Sequence, residues 1–127
     1  MIVGVGVDVI EVDRLRKTLD RYGSQFLRHV FTEDEQGEAP SGDGRAAFYA
    51  GRWAAKEAVS KALGTGIGHS CGWKDIRVSR DFHGRPAVPL SGAAAETAAT
   101  LDIAHIHISI SHERRLACAS AVAEKLT

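Results

Sequence analysis

Residues Arg45–Leu63 read RAAFYAGRWAAKEAVSKAL, and this run decides the fold. It is rich in alanine, holds no proline and is followed by Gly64, a residue type that commonly ends a helix. One long helix is predicted over this span. At about 100° per residue, Phe48, Ala55, Val59 and Ala62 fall on one side. Glu57 and Lys61 fall on the opposite side, stacked one turn apart in a stripe shared with Trp53. An apolar helix face needs a partner layer, and strands on both sides supply it. Ile2–Val12 (IVGVGVDVIEV) is dominated by β-branched residues in partial alternation and is predicted as a strand. Gly4 and Gly6 inside it mark a close approach to the backbone.

Working outward, Asp13 is expected to cap a helix running to Tyr22, with Gly23 as its stop. Ser24 caps a short helix through Phe26, Leu27 and Val30, and Thr32 with Glu35 forms a capping-box signature for a third. Gly37–Gly44 (GEAPSGDG) is a loop, and Gly64–Gly72 (GTGIGHSCG) a glycine-dense turn. Asp75–Ser79 and Ala87–Leu90 read as a hairpin around His83–Pro86. Ser91 opens an alanine-rich helix to Leu101. His105–Ser111 and Leu116–Ala123 are strands. Strand, helices, strands, helix, strands is the order of an α+β fold, not a βαβ repeat. The expectation is a small, largely antiparallel sheet packed against one long and several short helices. The 127 residues are read as one domain, residues 1–127.

Sixteen Lys and Arg balance sixteen Asp and Glu, so the formal net charge is zero. Nothing in that balance points to nucleic acid or membrane binding. The charge is uneven along the chain, however. Arg14, Arg16, Lys17, Arg21 and Arg28 outweigh Asp13 and Asp20, while Glu33, Asp34, Glu35, Glu38 and Asp43 follow with no basic residue among them. Two solvated faces account for this as readily as a docking surface. Cys71 and Cys118 lie far apart and match no ligand spacing, so both read as small, partly buried thiols. The N-terminus has Asp8 where a signal peptide would be apolar, and no segment reaches the ~20 apolar residues of a spanning helix. A cytoplasmic protein is expected.

Several residues have two readings. Glu57 and Lys61 are either a surface ion pair or part of a site. Asp8 interrupts an apolar strand, where a charge is costly unless it is exposed, paired or bound to a metal. If Asp8 and Glu57 meet, they offer two hard oxygen ligands of the kind magnesium takes alongside substrate phosphates. Lys61 and the GTGIG turn could hold phosphate, although the turn follows its helix and does not match a P-loop. His105 and His107 have i,i+2 spacing suited either to a metal pair or to a polar strand face. Ser111 and His112 are adjacent on a strand and so point to opposite faces, which argues against a nucleophile–base pair.

Four blocks stand in order: GVGVDVIEVDR (Gly4–Arg14), GRWAAKEAVSKALGTGIG (Gly51–Gly68), GRPAV (Gly84–Val88) and HISISHE (His107–Glu113). Together they resemble the holo-(acyl-carrier-protein) synthase family, the small 4′-phosphopantetheinyl transferases. The resemblance implies transfer of phosphopantetheine from coenzyme A to a serine of acyl carrier protein, in support of fatty acid biosynthesis. It implies magnesium on Asp8 and Glu57, and Lys61 on the coenzyme A phosphates. Arg52, Gly64, Arg85, Pro86, Ser111 and His112 occupy motif positions that line the coenzyme A site. Arg14, Arg21, Arg28 and Phe26 are the candidates for docking the acidic carrier protein. The family implies a homotrimer with active sites at subunit interfaces. Trp53 stands where the family usually has phenylalanine. The general base is open among a metal-held water, Glu57 and Glu35.

Overall fold

The structure is a computed structural model that describes residues 1–126. The chain runs β1 (Ile2–Glu11), α1 (Val12–Tyr22), α2 (Ser24–Val30), α3 (Glu33–Gly37) and α4 (Gly44–Ala62). A 3₁₀ turn (Trp73–Asp75) follows, then β2 (Ser79–Arg80), β3 (Pro86–Ala87), α5 (Gly92–Thr100), β4 (His105–His112) and β5 (Leu116–Glu124). The main sheet is antiparallel in the order β1-β5-β4, and β2 and β3 form a separate two-stranded hairpin. Among the described residues, no helix is long and apolar enough to cross a membrane. The α+β architecture is the one the element order predicted.

The long helix lies across one face of the sheet, and small side chains let it lie close. Ala117, Ala119, Ala121 and Ala123 point inward from β5 and are buried, as are Ala50, Ala54, Ala55 and Ala58 of α4. Gly4 and Gly6 carry the same logic to its limit. A Cβ at either position would stand 1.9 Å from a backbone oxygen, that of Ala62 or Ala58. Backbone cannot swing aside as a side chain does, so Gly6→Ala is expected to cost about 3 kcal/mol, the upper end for overpacking. A urea titration reads this directly; a variant as stable as the parent would contradict the close approach.

Three expectations need correcting. α4 is not a two-faced helix: it is buried around most of its circumference, including Arg52, Lys56 and Ser60. The sheet covers one side, α1 covers another, and Trp73 of the 3₁₀ turn meets Lys56 and Trp53 on a third. Asp13 lies inside the first turn of α1, where it pairs with Arg16 and Lys17, and Glu11 takes the cap position without a side-chain bond. Ser24 likewise begins α2 as a helical residue behind Gly23. Finally, the strands expected at Asp75–Ser79 and Ala87–Leu90 shrink to two residues each, plus an isolated bridge between Ile76 and Leu90. The cause is competition for backbone groups. Lys56 takes the Ile76 carbonyl and Glu35 takes the Val78 amide. The capping box of Thr32 and Glu35 forms as read, with bonds of 2.8 and 3.2 Å.

Candidate active site

Asp8 lies on the inward face of β1, and α4 brings Lys61 onto it. The Lys61 ammonium donates to Asp8 Oδ1 at 3.2 Å and to the Val7 carbonyl at 3.0 Å. The ion pair of Lys61 is therefore made with the strand, not with Glu57 one turn back. Asp8 Oδ2 is buried and, among the described residues, has no hydrogen-bond partner. Burial raises the Glu57 carboxyl above the ordinary glutamate range, and the neighbouring Asp8 charge raises it further, against a smaller opposing pull from Lys61. Two carboxylates close enough to repel, one with an orphaned buried oxygen, form a donor set that fits a hard divalent cation. No third His, Cys, Asp or Glu completes such a group among the described residues.

A second half-site lies elsewhere. Arg52, Arg80, Pro86, Ile110 and His112 line a cavity of about 110 Å³. Arg52 is buried, sits 4.1 Å above the Phe48 ring and, among the described residues, leaves Nε without a partner. Burial, and then Arg80, lowers its pKa. Two guanidiniums and an imidazole around a small cavity suit an anion. Gly51 admits β4 here, since a Cβ on it would meet Ile110 at 3.1 Å and His112 at 3.7 Å. Arg80 was not singled out from the sequence. Its signal was its place opposite Pro86 across the short hairpin.

The other nominated residues divide. Ser111 and His112 do face opposite ways: His112 lines the cavity, and Ser111 lies on the outer face of β4. Arg85 stays outside the cavity and pairs with Asp81 at 3.3 Å. Gly64 has φ +83°, which lets the chain leave α4. The amides after it already have acceptors, however. Thr65 and Gly66 both donate to the Ser60 carbonyl, and Gly64 donates to that of Lys61. The glycine-dense turn is thus a helix cap, not an open amide cradle. His105 and His107 belong to a polar strand face, with His107 bonded to Glu124 at 2.9 Å. Cys71 is buried, with its thiol pushed up to about 11 by burial, whereas Cys118 is exposed on the outer face of β5.

Arg14 and Arg21 lie two turns apart on the exposed side of α1, and Arg28 is exposed on α2. Among the described residues none of the three has a carboxylate partner, whereas Arg16 and Lys17 are tied to Asp13. Phe26 is half-buried beside Phe31. Its helix packs on the 3₁₀ turn, whose Trp73 stacks on Trp53 at 5.5 Å between ring centres. Trp53 shares the stripe of Glu57 and Lys61 on α4. Trp73 was missed in the sequence because it lies in an irregular segment.

Glu35 is not available as a base. Its carboxylate is buried and already accepts from Lys56, from the Thr32 amide and from the Val78 amide.

Comparison with known proteins gives this arrangement a context. The model of the 4′-phosphopantetheinyl transferase superfamily matches residues 4–120. A holo-[acyl-carrier-protein] synthase of Vibrio cholerae is 45% identical over 125 residues, 98% of this chain and 99% of that one. A Bacillus anthracis holo-(acyl-carrier-protein) synthase, solved in complex with CoA (3′,5′-ADP), superposes with a TM-score of 0.83 at 40% identity, covering 99% of each chain. The Neisseria meningitidis synthase superposes with a TM-score of 0.90 at 31% identity, over 98% of this chain and all of that one. The chain belongs to the 4′-phosphopantetheinyl transferase superfamily, among the holo-(acyl-carrier-protein) synthases that load the phosphopantetheine arm of coenzyme A onto acyl carrier protein.

Proposed function

We propose that this chain transfers phosphopantetheine from coenzyme A to a carrier-protein serine in the cytoplasm, in support of fatty acid synthesis, with magnesium held by Asp8 and Glu57. The observation that carries the metal assignment is the buried Asp8 Oδ2, partnerless among the described residues, beside the Glu57 carboxylate, whose pKa is raised by burial and then by Asp8. Bound there, magnesium would supply charge neutralisation at the pyrophosphate. The reaction is an in-line displacement. The serine oxygen bonds to the β-phosphorus, the bond to the bridging oxygen breaks, adenosine 3′,5′-bisphosphate leaves and the hydroxyl proton is given up. Lys61 offsets charge on the phosphate oxygens. Glu57, next to Asp8 and outside the hydrogen-bond network that closes off Glu35, is the carboxylate suited to receive the serine proton. Arg52, Arg80 and His112 hold a further anionic group of coenzyme A.

The two half-sites support a homotrimer with shared active sites. Asp8 is on the β1 edge of the sheet and His112 on the β4 edge, with β5 between them. That spacing is about 10 Å across the sheet, and α4 fills the space above it. Arg52 also points away from the Glu57 stripe on α4. In a closed ring, the β4 edge of one copy can face the β1 edge of the next. The outer sheet face suits such burial: Val5, Val7 and Val9 are 61–64% exposed. Contiguous exposed valines of this kind mark an association surface.

The deciding experiment is mass spectrometry of apo carrier protein incubated with coenzyme A, magnesium and the protein. A phosphopantetheine increment on one serine is expected; an unmodified carrier would sink the assignment. Docking has its own test. Replacing Arg14→Ser and Arg21→Ser together is expected to raise KM for the carrier about tenfold, with kcat unchanged and weaker salt dependence. An equal fall in kcat would place these arginines in a different role.

A further inference from the structure

The Lys61 ammonium occupies the place a metal would compete for. It sits on Asp8 Oδ1 at 3.2 Å, and the second Asp8 oxygen is buried and unpaired. The two partners differ in freedom. The Lys61 side chain is 48% exposed and the Asp8 side chain 14%. The ammonium is therefore the mobile member and the carboxylate the fixed one. The charges facing this ammonium are Asp8 and, one turn back on its own helix, Glu57; the Val7 carbonyl is its remaining acceptor.

We infer that Lys61 is a resident counter-ion that keeps the free carboxylate pair partly neutralised, and that coenzyme A binding, by offering its phosphates to the ammonium, releases Asp8 for the metal. This rests on the reading of Asp8 and Glu57 as the metal ligands. A divalent cation and an ammonium on one carboxylate repel each other, so metal binding to the free protein must displace Lys61. An anionic donor that takes up the ammonium removes that cost. Coenzyme A and metal then bind with positive coupling, and the coupling is reciprocal by linkage. A positioning group alone would not do this. It would lower metal affinity when removed, whereas a competitor raises it.

The test uses Mn²⁺ titration followed by electron paramagnetic resonance on the full chain, without coenzyme A. Lys61→Met keeps the apolar stem and removes the charge. It is expected to bind Mn²⁺ about three- to tenfold more tightly than the parent, the range set by a half-exposed ion pair. Lys61→Arg is expected to stay near the parent. The enhancement of Mn²⁺ affinity by saturating coenzyme A should shrink in Lys61→Met by the same factor. If Lys61→Met does not fold, Lys61→Gln carries the same expectation. Unchanged or weaker Mn²⁺ binding in the neutral variant, with binding still lost in Asp8→Asn, overturns the counter-ion role alone. Equal Mn²⁺ binding by the parent and Asp8→Asn overturns both this role and the metal assignment.

Discussion

Lys56→Ala is expected to destabilise the protein by about 3–5 kcal/mol, the cost of leaving one buried charge without its partner. The Lys56 side chain and the Glu35 side chain are both wholly inaccessible to solvent, and they meet at 2.8 Å. The ammonium spends its three protons on Glu35 Oε1, the Trp73 carbonyl at 2.9 Å and the Ile76 carbonyl at 2.7 Å. Glu35 in turn accepts the Thr32 and Val78 amides at 2.8 Å each. The network therefore binds α3, α4 and the segment after the 3₁₀ turn at one point. Burial lowers the Lys56 pKa and the Glu35 charge opposes it, so the ion pair holds only while both members are present. Alanine at residue 56 strands the carboxylate and two carbonyls together. Pairing Lys56→Met with Glu35→Leu removes both charges and should recover part of the loss, which a double-mutant cycle in urea measures as non-additivity. A single-variant loss under ~1 kcal/mol would show that the pair is not the anchor its geometry describes. The consequence reaches function, because the same network fixes Trp73 beside Trp53, one turn from Glu57.

The elements were legible where periodicity and capping chemistry acted locally. The long helix, the capping box at Thr32 and the three main strands follow from runs whose neighbours in sequence decide their conformation. Asp8, Glu57 and Lys61 were legible as oddities: a charge in an apolar strand, and two charges stacked on one helix stripe. What hid was decided by contacts distant in sequence. Nothing beside Lys56 in the sequence marks it as buried; Glu35, the carboxylate that it meets, is 21 positions away. The strand expected after Asp75 failed for the same reason, since its carbonyl and amide were claimed by that pair. Lys61 chose Asp8 over Glu57 because β1 passes within reach and offers the Val7 carbonyl as a second acceptor. Ser111 and Arg85 show the opposite limit. A motif position can be right for a family while the side chain, within one chain, faces away from the cavity.

Glu57→Gln is expected to lower the transfer rate by roughly 10²–10³-fold, the range for losing one preorganised electrostatic group, while leaving KM for the carrier near the parent value. Asp8→Asn should lose a similar factor, and the two together should lose little more, because each disables the same carboxylate pair. Stability should move the other way. A carboxyl whose folded pKa lies above its unfolded value penalises the folded state at neutral pH. The penalty is fully present above the folded pKa and is relieved as pH falls through it toward the unfolded value. Burial and Asp8 place Glu57 in that class. The Gln variant should therefore be at least as stable as the parent at pH 7, with the difference fading as pH drops. Magnesium on this carboxylate would favour its charged form, so the raised pKa bears on the stability of the metal-free protein. Measuring rate and urea stability across pH on the same preparations separates these effects. A Gln variant that loses both activity and stability at pH 7 would mark Glu57 as a structural residue. One that loses activity alone would identify a group held ready at a cost in stability for chemistry at the phosphate.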